Sequence, residues 1–443
     1  MRILYFILKL ILPQTLRIYY PRLKKINAPK SLFGRTIYVC NHASSFMDPL
    51  VLAAFQRPSV FFMTRSDVFT KYLQPILWSV QMLPIYREQD GEDTQKKNQE
   101  VFKKCNAILS GGRNLLIFGE GFTDDVFIRR LKSVKKGAVR IGFGALEALN
   151  WEKKIYLAAV GINYADPKVL GSDVLISNSK KICLNDYKEA YTENPAKVIT
   201  DLTKLIEGEL QNQLTHVANK KWAFFHEQVC RLKRIGMNPI DTNFKISLKK
   251  RWENSRLLAN WINQQDLDNN DELIALKADL ENYFDLLEKE KISESMIHER
   301  VATGKLSTRF ELLKLLLFLP IIPIGLIQFF LPYIYVKRFA EKKFKRAVFW
   351  SSIKMFLGMI LMGLWNIPLV WMLNHFLIHS WLIALIYYFI SPVIGMITYE
   401  WFRILKTYKQ KKACMNDDHS EVMKMRNELI ERIDRLIPLE FQF

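Results

Sequence analysis

Thr36-Ile37-Tyr38-Val39-Cys40-Asn41-His42-Ala43-Ser44-Ser45-Phe46-Met47-Asp48-Pro49 is the stretch on which the reading of this chain turns. Its first five residues form a short apolar run, bounded as a buried strand is bounded. At the carboxyl end of that run stand Asn41 and His42, and Asp48 follows six residues after the histidine. A histidine titrates near neutral pH and can take a proton from an alcohol as a bond forms. A carboxylate on its other ring nitrogen fixes the tautomer and stabilises the imidazolium. If the nucleophile is the substrate's own hydroxyl, no protein serine is required. Of the seven histidines, His42 alone sits at such a strand end with a carboxylate nearby. A histidine and an aspartate at this spacing are, by themselves, more often structural than catalytic, so the neighbouring sequence has to decide.

Outward from that stretch, residues 35–187 alternate short apolar runs with helical ones. Strands are expected at Thr36–Cys40, Val60–Met63, Asn114–Phe118, Ile155–Val160 and Asp173–Ile176. Helices are expected at Asp48–Phe55, Lys96–Leu109 and Lys136–Leu149. Such alternation predicts an α/β fold, a mostly parallel sheet with flanking helices. Ligands of open α/β sheets bind at strand carboxyl ends, where His42 falls.

A second strand, Leu115-Leu116-Ile117-Phe118, ends in Gly119-Glu120-Gly121-Phe122-Thr123. Glycines around a carboxylate permit close backbone approach to a ligand. Lys132, Lys135, Lys136 and Gly137 follow, and they open a helix; a basic cluster at a helix start suits a phosphate. Solvated lysines on a strand–turn–helix read equally well. In Leu83-Pro84-Ile85-Tyr86-Arg87, the arginine after an apolar run can hold phosphate oxygens in a bidentate pair, although a surface arginine is the commoner case. Ala159-Val160-Gly161-Ile162-Asn163-Tyr164 reads as an ordinary strand exit.

The chain has 443 residues and a formal net charge of +20, which suits an anionic partner. The long apolar blocks point to a membrane rather than to nucleic acid, because the basic residues crowd beside them. The five cysteines, Cys40, Cys105, Cys183, Cys230 and Cys414, have no paired spacing, so neither a metal site nor a disulfide framework is indicated. Met1–Leu12 is apolar with Arg2 and Lys9, but no small-residue cleavage site follows. It is shorter than the roughly 20 residues a bilayer crossing needs and reads as an interfacial helix.

Residues 195–300 become helical and charged, with Leu202, Leu205, Ile206 and Leu210, then Leu273, Leu276, Leu280 and Tyr283, at helical spacing. Leu315–Val336 is apolar but carries Pro320, Pro323 and Pro332; Met355–Leu373 and Trp381–Tyr399 are two further apolar spans. Lys337 to Lys354 and Arg403 to Lys412 are basic flanks, whereas the turn between the last two spans has no Lys or Arg. The positive-inside rule places both basic flanks in the cytoplasm and makes the last two spans a transmembrane hairpin. A third full crossing would put the preceding domain outside, so Leu315–Val336 is expected to be re-entrant or interfacial. The expected domains are an interfacial anchoring segment (1–30), a catalytic domain (31–194), a helical region (195–310), a membrane region (311–403) and a cytoplasmic basic helical tail (404–443). The expected protein is integral to the membrane, with its catalytic domain facing the cytoplasm.

Taken in order, NHASSFMDP, LPIYR, FGEGFT and AVGINY resemble the four blocks of the glycerolipid acyltransferase family, the enzymes that acylate glycerol-3-phosphate and lysophosphatidic acid. The resemblance covers about residues 35–180. It departs in having five residues rather than four between histidine and aspartate, so the loop must bulge by one residue for Asp48 to reach His42. Gly119 replaces a family proline, and the fourth block lacks its proline too. The resemblance implies His42 as general base and Asp48 as the residue that orients it. It further implies a substrate-binding set of Asn41, Arg87, Glu120, Gly121 and Thr123, with Arg87 on the acceptor phosphate. The implied reaction carries a fatty acyl group from acyl-CoA or acyl carrier protein to lysophosphatidic acid, giving phosphatidic acid. Glycerol-3-phosphate as acceptor, an unusual lipid acceptor, or an inactive membrane scaffold of the same fold are the alternatives. No metal or cofactor is implied, and no nucleic acid; membrane lipids are the expected surroundings.

Overall fold

Thr36–Cys40 is buried at every position, and its place in the sheet explains why the run has no polar face. The computed structural model of the chain describes residues 3–86 and 94–438. Two compact units emerge, residues 1–223 with 247–263, and residues 224–246 with 264–443. The first begins with α1 (Ile3–Tyr19), β1 (Arg22–Ile26), β2 (Thr36–Cys40), α2 (Met47–Phe55), β3 (Val60–Arg65), α3 (Gln74–Ser79) and β4 (Met82–Ile85). It continues through α4 (Thr94–Ser110), β5 (Asn114–Phe118), α5 (Gly137–Ala148), β6 (Tyr156–Tyr164), β7 (Asp173–Asn178), β8 (Ile182–Cys183), α6 (Lys188–Glu193) and α7 (Pro195–Asn212). After α8 (Ala223–Lys233), which starts at the unit boundary, α9 (Leu248–Asn263) returns to the first unit.

The strand order is β1-β7-β6-β2-β5-β3-β4, with β8 on β6. The five strands from β6 to β4 run parallel, β7 is antiparallel to β6, and β1 is parallel to β7. The fold is therefore α/β with a mostly parallel sheet and flanking helices. Parallel neighbours need helical crossovers, which cover both faces and make central strands apolar throughout. Ile37 and Val39 of β2, Leu115 of β5 and Leu157 and Ala159 of β6 share one core with Val139, Phe143 and Leu146 of α5 and Leu202 and Ile206 of α7.

Sequence periodicity finds the central strands and misses the edges. β3, β6 and β7 run a few residues longer than expected. β1, Arg-Leu-Lys-Lys-Ile, is too basic to read as a strand, yet at the sheet edge it pairs with β7. It also lies inside residues 1–30, so part of that stretch belongs to the sheet. β4 holds Pro84, tolerated because this strand is the opposite edge. α1 continues past Pro13 to Tyr19, longer than the apolar dozen residues suggest. Tyr5, Leu12, Leu16 and Tyr19 face inward, while Ile3, Ile7, Leu10 and Ile11 are exposed. The expected helical region 195–310 is divided: α7 and α9 belong with the sheet, and the remainder to the second unit.

The second unit holds α10 (Asp271–Lys289), α11 (Glu294–Thr303), α12 (Arg309–Phe318), α13 (Ile322–Gly325), α14 (Leu331–Lys343), α15 (Trp350–Leu373), α16 (Trp381–Ala413) and α17 (Ser420–Leu436). Leu273, Leu276, Leu280 and Tyr283 are buried, as their spacing predicts, on the helix against which α17 packs. Among the described residues, three helical runs have the length and apolar composition to cross a membrane: Arg309–Lys343, Ala347–Ile378 and Trp381–Ala413. The second and third contain the expected spans.

The first run, 35 residues, would be about 52 Å long if straight. Its contacts show that it turns back. Near its start Glu311 pairs with Lys411, and Trp401 Nε1 donates to the Leu315 carbonyl. Near its end Glu341 pairs with Lys354, and Tyr333 lies beside Tyr399. Lys354 and Lys411 sit at the same end of the antiparallel α15–α16 pair, far from the connecting residues 379–380. The middle, Gln328, reaches Tyr387, and its carbonyl accepts from Asn366. The bend uses a 3₁₀ turn at Leu319–Ile321 and a π turn at Leu326–Phe330. Pro320, Pro323 and Pro332 each stand in the first turn of a new segment, where a missing N–H donor costs least.

Candidate active site

β2 carries Asn41 and His42 to the carboxyl edge of the sheet. Asn41 Nδ2 donates to the Ile162 carbonyl at 3.1 Å, and its Oδ1 accepts the Ile162 N–H at 2.8 Å. This amide laces the end of β2 to β6 and fixes where His42 begins. Asn41 also lines the cleft onto which His42 opens.

The His42 ring stacks on Phe118, the last residue of β5, with ring centroids 4.2 Å apart. Its Nδ1 lies 2.9 Å from Asp48 Oδ2. Asp48 is in the first turn of α2, where the helix dipole favours a negative charge. The additional loop residue is absorbed at Ser45, which takes φ +47° in the left-handed region. The Met47 N–H then bonds the Ser44 carbonyl at 3.0 Å and opens the helix. Asp48 is fully buried, and both its oxygens have further partners. Oδ2 also accepts the Ser44 N–H at 2.8 Å, and Oδ1 accepts the Tyr164 hydroxyl at 2.9 Å. Burial pushes the Tyr164 phenol well above its ordinary range, with the Asp48 charge adding to the effect, so it stays protonated and donates.

Glu120, at the exit of β5, holds the backbone of the same loop. Its Oε1 accepts the His42 N–H at 2.7 Å, and its Oε2 accepts the Lys132 N–H at 3.3 Å, with Lys132 Nζ 3.9 Å away. Burial raises its pKa, against the pull of these hydrogen bonds and of Lys132. Gly121 turns the chain at φ +76°, which a glycine adopts without penalty.

His42 and Glu120 open onto a cleft lined also by Arg129, Arg130, Lys132, Asn163 and Tyr164. Lys132 Nζ sits 3.9 Å from the centroid of the Phe122 ring and pairs with Asp124 at 3.1 Å. Arg129 is buried and donates to the Tyr164 and Ala165 carbonyls at 2.7 and 2.9 Å, which ties the 124–132 segment to β6. Arg130 is exposed at the cleft. Of the described basic residues singled out in the sequence, only Lys132 lines the cleft; Lys135 and Lys136 are exposed and do not line it, and Lys136 bonds Thr200. Gly121 and the buried Thr123 shape the turn without lining the cleft. Arg87 lies outside the described residues. Sequence reasoning missed Arg129, Arg130 and Tyr164. The Arg-Arg doublet two residues before Lys132 was a readable signal for the first two; Tyr164 ends the fourth motif block, but nothing local tied it to Asp48.

Residues 23–162 match the model of a protein family described as Acyltransferase. The four motif blocks fall within or at the end of the matched residues. Among solved structures, the 1-acyl-sn-glycerophosphate (LPA) acyltransferase PlsC from Thermotoga maritima is similar at 15% identity, over 45% of this chain and 78% of that one, with a TM-score of 0.32. No curated protein sequence matches the chain.

Proposed function

We propose that this protein is a membrane-bound acyltransferase that moves a fatty acyl group from a thioester donor, acyl-CoA or acyl carrier protein, to the free hydroxyl of lysophosphatidic acid. The observation that carries the reading is the His42–Asp48 pair, 2.9 Å apart at a strand end and open to a cleft with Lys132 and Arg130. With Nδ1 held by Asp48, Nε2 takes the hydroxyl proton as the alcohol oxygen attacks the thioester carbon. The tetrahedral intermediate then expels the thiolate, which recovers the proton from the imidazolium. Base catalysis of this kind supplies roughly 10²–10⁴-fold in rate. Lys132 and Arg130 supply positive charge for the acceptor phosphate.

The outer apolar face of α1 suits the membrane surface as an interfacial anchor. The doubled-back run 309–343 enters and leaves the bilayer on the cytoplasmic side, and α15 and α16 form the transmembrane hairpin. That topology keeps the catalytic domain in the cytoplasm, beside both basic flanks.

The test is product analysis by mass spectrometry with purified protein, lysophosphatidic acid and glycerol-3-phosphate offered separately. Phosphatidic acid from the first acceptor is expected, and His42→Ala is expected to abolish it while membrane insertion is unchanged. Transfer to glycerol-3-phosphate alone would move the reading to the preceding acylation step, and an active His42→Ala protein would remove the base.

A further inference from the structure

The helix that presents Asp48 is held at both ends by α1 and its immediate continuation. At the carboxyl end of α2, Lys9 Nζ donates to the carbonyls of Gln56, Arg57 and Pro58 at 2.9, 3.1 and 3.1 Å. The Gln56 carbonyl, at the helix cap, is one that the helix end leaves without an internal donor. At the other end Tyr20, the residue after α1, packs its ring on Tyr164, with centroids 5.5 Å apart. Tyr20 is itself pinned by its hydroxyl to the Pro167 carbonyl at 3.0 Å, and both tyrosines are fully buried. Tyr164 then donates to Asp48 Oδ1, while Asp48 Oδ2 serves His42.

We propose that Tyr164 and Lys9 are positioning residues through which α1, the segment whose outer face meets the lipid, sets the angle of Asp48 and so of His42. The inference rests on the acyltransfer reading above and adds to it a coupling between membrane seating and the dyad. A carboxylate with one oxygen held by a phenol can offer the other to imidazole in one orientation only. The phenol also withdraws part of the carboxylate's charge. The groups facing Asp48 are His42 from the β2–α2 loop, Tyr164 from β6, Tyr20 from the end of α1 and Cys40 from β2; Glu120 faces His42 from β5, with Lys132 beside it. Of these, Tyr164 alone gives Asp48 a side-chain hydroxyl among the described contacts.

The experiment compares wild type, Tyr164→Phe, Lys9→Met and His42→Ala in vesicles, with kcat, both KM values and thermal midpoints. Tyr164→Phe deletes one oxygen and is expected to lower kcat roughly 10- to 100-fold, the worth of one hydrogen bond to a charged group, with both KM values kept. Lys9→Met lowers kcat severalfold at unchanged donor and acceptor KM. A Tyr164→Phe protein with wild-type kcat overturns the role of Tyr164, and a fall in kcat matched by a rise in either KM does the same. Wild-type kcat in folded Lys9→Met overturns the coupling through α1. Either result beside an inactive His42→Ala leaves the base reading intact, whereas an active His42→Ala overturns that reading instead.

Discussion

At the residue scale, the site is a set of neighbours that the sequence keeps far apart. His42 and Asp48 were legible because one loop carries both. Tyr164 was not, because its partner lies 116 residues away and only the β2–β6 pairing brings them together. The cationic cleft mixes the two cases: Lys132 was marked by its basic surroundings, while Lys135 and Lys136 were equally basic and point elsewhere. Lys132→Ala is therefore expected to raise the acceptor KM about tenfold or more and the donor KM little, as loss of a charged hydrogen bond would. Equal rises for both substrates in steady-state assays would contradict a phosphate role for Lys132. Lys136→Ala, with its side chain on Thr200, is expected to leave both values unchanged and serves as the control.

At the scale of elements, burial decides behaviour that composition cannot reveal. Glu294 of α11 is fully buried, paired with Arg426 of α17 at 2.7 Å and bonded by the Tyr283 hydroxyl of α10. Burial raises its pKa to about 7, despite the opposing pull of Arg426 and Tyr283. The folded state therefore holds a proton that the unfolded state has released, over the range from the ordinary carboxylate value up to about 7. The stability this proton contributes is fully present below that range and is lost as pH rises through 7. Thermal midpoints in detergent between pH 5 and 8 are expected to fall with rising pH by the equivalent of about 1–3 kcal/mol. Glu294→Gln removes that slope, and an unchanged slope in the variant would place its origin elsewhere. The periodicity of Leu273, Leu276, Leu280 and Tyr283 announced α10 and its buried face. Nothing in it announced that the face would be shared with α17, nearly 150 residues later, since period alone names no partner.

At the scale of the whole molecule, the membrane region shows how length and contacts can give different answers. By length and composition Arg309–Lys343 resembles a third crossing. By contacts its two ends reach Lys411 and Lys354, at one end of the α15–α16 pair. Small tags inserted near positions 305 and 345 are expected to be accessible from the same side of sealed vesicles, and a tag near 380 from the other. Tags at 305 and 345 on opposite sides would make the run a full crossing and overturn the proposed cytoplasmic placement of residues 31–194.

The sequence by itself determined the central strands, the His42–Asp48 pairing, the carboxylate at Glu120 and the apolar spans. Each is a local pattern: strand and helix periods are written in consecutive residues, and a loop of six residues closes on itself. Tertiary structure alone decided that Arg22–Ile26 is an edge strand, that Ser45 absorbs the extra loop residue, that α1 and Tyr20 brace the helix of Asp48, and which residues of α15 and α16 the first apolar run meets. Those features depend on which distant surface each segment meets. Such a meeting is set by packing and hydrogen-bond satisfaction across the fold, to which no window of sequence has access.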